Sequence, residues 1–157
     1  MNTIFLALGS NVGNKKKNIL SAINRLGAKI KNIAQAKFYR TKPMYYKKQD
    51  EFLNTLIRGT TDLKPQELLG FVKEIENKIG RKKSFHWGPR EIDIDIIFYN
   101  NLIYKSKSLE IPHPRIQERD FVLKPLLDID REFVHPILKK KIKQLYQELS
   151  QEQKSIM

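Results

Sequence analysis

The sequence predicts an α+β fold in which two helices cover one face of an antiparallel sheet. Two observations support this prediction. Apolar runs of strand length alternate with two longer segments whose apolar residues recur every three or four positions, as they do in helices. Glycines and polar turn residues separate these segments from one another. A chain of 157 residues also suits one domain with a single core.

The first half of the chain predicts one strand, one helix and then two more strands. In order, we predict a strand at residues 3–8, a turn at 9–14, a helix from Lys15 to about Gly27, a strand at 34–41, a loop at 43–50 and a strand at 52–60. The helix assignment depends on Ile19, Ile23 and Leu26, which have helical spacing and therefore share one face.

The second half begins with a helix and returns to a strand. Pro65 suits the first turn of a helix, and an apolar stripe follows it up to Gly80. We then predict a basic loop at 80–89, a strand at 92–99, a strand pair or loop at 103–112, a buried segment at 121–127, a helix at about 139–149 and a frayed tail at 151–157. The order β-α-β-β-α-β is that of a ferredoxin-like sheet with helices on one face, here with C-terminal additions. We expect the other face of the sheet to be open.

Composition and charge limit the class of protein. The chain is 40% hydrophobic, as folded domains are, and it contains no cysteine, which excludes disulfides and thiolate metal sites. We see neither a signal peptide nor an apolar run of membrane-spanning length, so we expect a cytoplasmic protein with no membrane partner. The net charge of +13 would attract polyanions, but its lysines are scattered, which favours a solvated surface over a nucleic-acid stripe. No exposed heptad pattern is visible, so we expect a monomer.

The strand predicted at 92–99 carries the strongest chemical signal. Three isoleucines alternate with two acids at its start. Residues two apart share a face, so Asp93 and Asp95 lie together about 7 Å apart, opposite the isoleucines. Such a pair suits divalent cations, and two cations suit phosphoryl transfer. The alternative is an edge strand with two solvated aspartates, but the neighbouring Trp87 and Arg90 favour a site.

These residues belong to a longer pattern that resembles one known family. The most specific part is Trp-Gly-Pro-Arg-x-x-Asp-x-Asp followed by apolar residues, and further blocks lie in order on both sides of it. The blocks are Ala7-Leu8-Gly9-Ser10-Asn11, Tyr39-Arg40-Thr41, Phe52-Leu53-Asn54, Glu76, Gly80-Arg81, Trp87-Gly88-Pro89-Arg90, Asp93-Ile94-Asp95, Pro112-His113-Pro114 and Arg119-Asp120-Phe121-Val122-Leu123. Over nearly the whole chain they resemble the 6-hydroxymethyl-7,8-dihydropterin pyrophosphokinases of folate biosynthesis.

The resemblance implies a reaction and its cofactors. In this family the β,γ-pyrophosphoryl group of ATP is transferred to the hydroxymethyl oxygen of the pterin, and AMP is released. The resemblance implies two Mg²⁺ ions held by Asp93 and Asp95, with ATP as co-substrate. It also implies catalytic roles for Arg81 and Arg90 beside the two aspartates.

The resemblance further implies a set of nucleotide contacts. They fall on Glu76, Lys83, His86, Arg90, Ile96, His113 and Arg119. From its chemistry alone, the rigid guanidinium of Arg90 suits phosphate oxygens, the alternative being a surface ion pair. His86 stands where relatives often carry arginine, which would make nucleotide binding more sensitive to pH near neutrality.

The implied pterin contacts combine aromatic rings, an amide and backbone groups. They fall on Thr41, Pro43, Met44, Phe52, Asn54, Trp87 and Phe121. A flat pterin ring needs stacking partners and an amide that both donates and accepts, which suits Asn54. Phe52 stands where relatives often have tyrosine, so a hydroxyl contact is missing while stacking survives. Residue type alone would assign Phe52 and Phe121 to the core.

Two other functions are alternatives to a pyrophosphokinase: an RNA-binding module and a two-metal nuclease or phosphatase. A basic β-α-β-β-α-β domain is also the form of an RNA-binding module, but such modules place aromatic signatures on the open face, where this chain has Asp93 and Asp95. A two-metal nuclease or phosphatase would share the paired acids, but the apolar rings favour a dry pocket for a flat acceptor. We therefore expect ATP and the pterin as the partners, and no nucleic acid.

Overall fold

The computed structural model describes residues 1–43, 50–80 and 91–157. Within these ranges the strands are β1 (Asn2–Ser10), β2 (Lys31–Gln35), β3 (Tyr39–Thr41), β4 (Phe52–Thr61), β5 (Asp93–Tyr99), β6 (Tyr104–Lys105) and β7 (Glu110–Ile111). The α-helices are α1 (Lys15–Leu26), α2 (Pro65–Ile79), α3 (Asp120–Ile129) and α4 (Ile142–Gln147). This order confirms the predicted ferredoxin-like α+β fold with its C-terminal additions.

The main sheet is antiparallel throughout. Its strands lie in the order β2-β4-β1-β5, and β3 pairs with β4 beyond the end of β2. Strand β5 is therefore an edge strand that pairs with β1 on one side. Strands β6 and β7 form a separate pair, as predicted for residues 103–112.

One face of the sheet packs against α1 and α2, as the sequence predicts. The apolar core on this face contains the isoleucines of β5 together with the stripes of the two helices. Its fully buried members include Ile4, Leu6, Ile19, Leu26, Leu68, Val72, Ile92 and Ile94. None of the helices in the described ranges is long and apolar enough to cross a lipid bilayer.

The expectation that the opposite face is open was wrong for about half of that face. Phe5, Leu56 and Phe98 point to this side and form a second core with α3 and α4. Three apolar strand residues would otherwise be exposed to water, and their burial favours covering them with the C-terminal helices. The acids at the start of β5 lie at the other end of the same face, since Phe98 pairs with Phe5 whereas Asp93 pairs with Gly9.

Three predicted element bounds also differ from the structure. The strand predicted at 34–41 is divided into β2 and β3, because the Thr55 hydroxyl donates to the carbonyl oxygens of Ala36 and Lys37 at the break. The helix predicted at about 139–149 is shorter, because Lys139 has a left-handed φ of 58°, which a right-handed helix cannot include. The tail predicted to fray at 151–157 is bonded to Asp120 and to β3.

Candidate active site

The register of the sheet brings the two acids of β5 beside polar groups of its neighbours. Asp93 pairs with Gly9 of β1, and Gly9 pairs on its other side with Asn54 of β4. Directly paired residues point to the same face of a sheet. Asp93, Gly9 and Asn54 therefore form a row across β5, β1 and β4. Asp95 lies two residues further along β5, on the same face.

Gly9 provides the space between the acid and the amide. A Cβ atom at this position would lie 2.7 Å from Oδ1 of Asn54, closer than side-chain carbons approach. The Asn54 amide cannot easily move away, because its Nδ2 donates to Oγ1 of Thr41 over 2.7 Å. Glycine is therefore required here, because the Asn54 side chain lies against the backbone of this residue.

The pterin residues predicted on β3 and β4 come together around this amide. Phe52 pairs with Thr41 and lies two residues from Asn54, so all three are on the face of Asp93. Thr41 is buried, whereas Phe52 and Pro43 are half-buried. These positions fit the predicted stacking and backbone contacts.

Glu76, the nucleotide residue predicted on α2, lies beside the acid pair of β5. Its side chain is 0% exposed, and Oε2 accepts a hydrogen bond of 2.8 Å from the backbone N–H of Ile94. That N–H belongs to the residue between the two acids. Glu76 therefore joins α2 to the edge of β5 and also forms an ion pair with Lys73.

Ile96, which was also predicted as a nucleotide contact, has its side chain in the core. Its side chain is 5% exposed and packs in the core between the sheet and α1 and α2. Backbone groups of an antiparallel strand face alternate sides, so the amide of Ile96 faces the same edge as that of Ile94. Any contact of Ile96 with a nucleotide would therefore use its backbone.

Burial and like charges both act on the acid pair. The pKa of Asp95 is raised to about 8, first by burial, then by the negative charge of Asp93 and, after that, of Glu76. The positive charges of Arg119 and Lys73 partly offset these effects. A cation would relieve the same repulsion, and carboxylate oxygens are the ligands that Mg²⁺ prefers. The pair thus fits a metal site. No cluster of three or more possible ligands occurs in the described ranges.

The predicted phosphate contacts on the C-terminal side lie beside the same acid pair. The backbone N–H of His113 donates to the carbonyl of Ile97 on β5, over 3.1 Å. The pKa of His113 is lowered to about 4 by burial, and the charges of Arg119 and Arg115 act in the same direction. The ring is therefore neutral at pH 7, and its Nδ1 accepts the N–H of Arg115, which assigns the proton to Nε2.

Arg119 and Phe121 stand on either side of the first residue of α3. The guanidinium of Arg119 lies 5.6 Å from the centre of the Phe121 ring, within the range of a cation–π contact. Arg119 is largely buried, whereas Phe121 is half-buried and packs against the second core. The arrangement brings a buried cation and an aromatic ring to the acid side of the sheet.

Six predicted site residues lie outside the described residues. They are Met44, Arg81, Lys83, His86, Trp87 and Arg90. One residue that the structure adds is Gly9, which sequence reasoning quoted as part of a motif without assigning it a role. A glycine inside an apolar strand is itself a signal of close backbone approach and could have indicated this role.

Fold and site together define a class of protein: a ferredoxin-like domain with paired acids on one sheet face beside a buried asparagine amide. Residues 5–131 match the family model described as 7,8-dihydro-6-hydroxymethylpterin-pyrophosphokinase (HPPK), and the chain belongs to this family. The match confirms the predicted class, an ATP-dependent pyrophosphokinase of folate synthesis that acts on the hydroxymethyl group of the dihydropterin.

Named relatives and solved structures agree with the family model. The chain is 51% identical to the folic acid synthesis protein FOL1 of Dictyostelium discoideum over 137 residues, which are 87% of this chain and 21% of that protein. It is 42% identical to the 2-amino-4-hydroxy-6-hydroxymethyldihydropteridine pyrophosphokinase of Aquifex aeolicus over 144 residues, 92% of this chain and 90% of that protein. The crystal structure of Plasmodium falciparum HPPK-DHPS with pteroate has the same fold, with a TM-score of 0.74 at 19% identity, covering 93% of this chain and 42% of that one.

Proposed function

We propose that residues 1–157 form one pyrophosphokinase domain whose reaction takes place above Gly9, between Asp93 and Asn54. The observation that supports this location is the sheet register, which aligns the acid, the glycine and the amide on one face. We further propose that the protein works in the cytoplasm as a monomer, with ATP and the dihydropterin as its partners and without nucleic acid or membrane.

The pterin occupies the cradle formed by β3, β4 and the start of α3. Phe52 and Phe121 stack on the ring. The amide of Asn54, which is oriented by Thr41, forms hydrogen bonds with the edge of the pterin ring. Backbone groups of Thr41, Pro43 and Met44 complete the contacts, and Trp87 covers the ring. The half-buried state of Phe52 and Phe121 supports this assignment, because each ring keeps a surface that a ligand can contact.

The triphosphate lies between the acid pair and the cationic groups around it. Arg119 and the neutral His113 contact phosphate oxygens from the C-terminal side, the imidazole donating through Nε2. Arg81, Lys83, His86 and Arg90 contribute from the segment at 81–90, and Ile96 contributes its backbone. The buried carboxylate of Glu76, which is bonded to the N–H of Ile94, contributes from the α2 side of the acid pair.

The chemistry is an in-line displacement at the β-phosphorus. A bond forms between the hydroxymethyl oxygen and that phosphorus, and the bond from the β-phosphorus to the α,β-bridging oxygen breaks, so that AMP leaves with this oxygen. The hydroxyl proton passes to solvent, and no protein nucleophile is needed. Two Mg²⁺ ions held by Asp93 and Asp95 would neutralise charge on the triphosphate and on the phosphorus under attack. Positioning by Asn54 and Arg119 supplies the geometry.

The direct test is product analysis. Isotope-labelled ATP is incubated with the protein, Mg²⁺ and 6-hydroxymethyl-7,8-dihydropterin, and labelled AMP and pterin pyrophosphate are measured. We expect AMP to form only when the pterin is present. Release of ADP, or AMP formation that is independent of the pterin, would contradict the proposal.

The role of the acid pair is tested by Asp93→Ala and Asp95→Ala. We expect each substitution to reduce turnover by about a thousandfold or more, because the ligands of the essential cations are lost. The melting temperature should not fall for Asp95→Ala, because the substitution removes the repulsion between Asp95 and the neighbouring charge of Asp93. Asp62→Ala is the control, since Asp62 is exposed and follows the end of β4 that is opposite to Asn54 and the acid pair. Near-normal turnover in either β5 variant would reject the metal-binding role.

A further inference from the structure

The last residues of the chain are bonded to a buried acid beside the active site. Asp120 is 1% exposed and begins α3, between Arg119 and Phe121. Its Oδ1 accepts from the Ser155 hydroxyl over 2.6 Å, and its Oδ2 accepts from the backbone N–H groups of Ser155 and Ile156 over 2.7 and 3.0 Å. Three bonds to one buried carboxylate make a strong attachment, since bonds to charged groups are about twice as strong as neutral ones.

Residues 155–157 are also paired with β3. Ile156 forms an antiparallel bridge with Thr41, whose hydroxyl orients Asn54. The carbonyl of Ser155 accepts from the N–H of Lys42, and the N–H of Met157 donates to the carbonyl of Arg40, each over 2.9 Å. Residues 155–157 thus add backbone hydrogen bonds to the edge of β3 that the short strand otherwise lacks.

We propose that residues 155–157 are a C-terminal clasp that positions the two walls of the pterin cradle. One wall is β3 with Thr41, and the other is the start of α3 with Phe121. Asp120 and Ser155 are positioning residues in this proposal, because they act through Phe121 and Thr41 and touch no substrate themselves. The inference rests on the proposed location of the pterin and extends it to residues beyond the segment 5–131 that matches the family model.

The physical reason for the clasp is the length and position of β3. A strand of three residues paired on one side with β4 has few backbone bonds of its own. Its separation from α3 would change the distance from Thr41, which orients Asn54, to Phe121, and a ring held in the cradle tolerates little displacement. If the clasp detached, Asp120 would lose all three of these hydrogen bonds, which makes the attached state strongly preferred.

A second connection between β3 and α3 provides a matched control. The Tyr39 hydroxyl donates to Oδ2 of Asp128 over 2.7 Å, near the far end of α3. Tyr39→Phe and Ser155→Ala therefore each remove one hydroxyl bond to an aspartate of the same helix. They differ in which end of the helix they release.

The experiment compares Ser155→Ala, Ile156→Pro and Tyr39→Phe with the unmodified chain. Ile156→Pro removes the N–H that donates to Asp120. We expect the two clasp variants to raise the KM for the pterin about fivefold or more while kcat changes by less than about twofold, and Tyr39→Phe to leave the KM within about twofold. Calorimetric titration of the pterin in the presence of Mg²⁺ and the α,β-methylene analogue of ATP should show the same rise in Kd.

Two results would overturn the clasp. One is an unchanged pterin KM and Kd in Ser155→Ala and Ile156→Pro, whatever happens to their melting temperatures. Another is an equal rise in Tyr39→Phe, which would indicate general loosening of the fold. If Ile156→Pro does not fold, Ser155→Ala alone decides. An unmodified chain that forms no AMP would refute the proposed function, whereas normal AMP formation with unaffected variants would refute the clasp alone.

Discussion

At the scale of single residues, the position of Gly9 decides what can lie between Asn54 and Asp93. Because Asn54 is held by Thr41, a methyl group at Gly9 has to displace the amide, the backbone or the ligand. The structure thereby gives a role to a glycine that was noted in the sequence only as part of a motif.

Gly9→Ala is expected to raise the KM for the pterin by about tenfold or more, because the new Cβ intrudes on the cradle. Gly70→Ala is the matched control. Gly70 lies on α2 with nothing within 4 Å of an added Cβ, so alanine should stabilise the protein by about 0.5–1 kcal/mol without changing KM. Steady-state kinetics and urea unfolding measure both effects, and an unchanged KM in Gly9→Ala would remove the cradle from the mechanism.

His113 predicts a specific pH dependence of stability. Its folded pKa of about 4 lies below the ordinary value, so the unfolded chain takes up the proton first as the pH falls. The contribution to stability is fully present above about pH 6.5 and is lost as the pH falls towards 4.

The test is urea unfolding of the unmodified chain and of His113→Asn at pH 7.5 and 4.5. The unmodified chain should lose about 1–3 kcal/mol more free energy of unfolding than the variant does over this interval. His135, whose pKa is also lowered by burial, is present in both proteins and cancels in the difference. Equal losses would show that His113 is not held neutral in the folded state.

At the scale of elements, the contact between α2 and β5 determines how the acids are presented. The Glu76 carboxylate accepts the N–H of Ile94 at the outer edge of β5, where no further strand of the described ranges supplies an acceptor. We infer that this bond fixes the part of β5 that carries Asp93 and Asp95.

Glu76→Ala should lower the free energy of unfolding by about 2–4 kcal/mol, because it leaves a buried N–H without its acceptor and opens a cavity. Glu76→Gln keeps an acceptor of the same shape, so its loss should be about 1 kcal/mol or less. Chemical denaturation measures both variants. A loss in Glu76→Gln as large as that in Glu76→Ala would mean that the charge of Glu76, rather than its hydrogen bond, stabilises this edge.

Elements were predictable where one local pattern determines them. The stripes of α1 and α2 and the alternation in β5 follow from side-chain periodicity and agree with the structure. The break between β2 and β3 was not predictable, since it arises when Thr55 of another strand bonds to the backbone there. The start of α4 was placed too early because the left-handed conformation of Lys139 leaves no mark in the periodicity.

At the scale of the whole molecule, the net charge of +13 is expected to act on ATP and not on the pterin. ATP is a polyanion, whereas the pterin is neutral, so only the nucleotide experiences the long-range field. The KM for ATP should rise about two- to fivefold between roughly 0.05 and 0.5 M salt because ions screen this field.

The KM for the pterin in the same assays serves as the internal control and should stay constant. Steady-state kinetics in sodium chloride and in potassium acetate separates screening from the effect of one particular salt. Parallel changes in both KM values would indicate a general effect of salt on the protein.

The sequence alone determined the family, the order of the elements and the acid pair, because these depend on local periodicity and on residues close together in the chain. Tertiary structure alone decided that Gly9 lies between Asp93 and Asn54, and that Glu76 holds β5. It also decided that α3 and α4 cover half of the second sheet face and that the tail is attached to Asp120. These features join residues far apart in sequence, and such contacts are set by packing and register, which no single segment encodes.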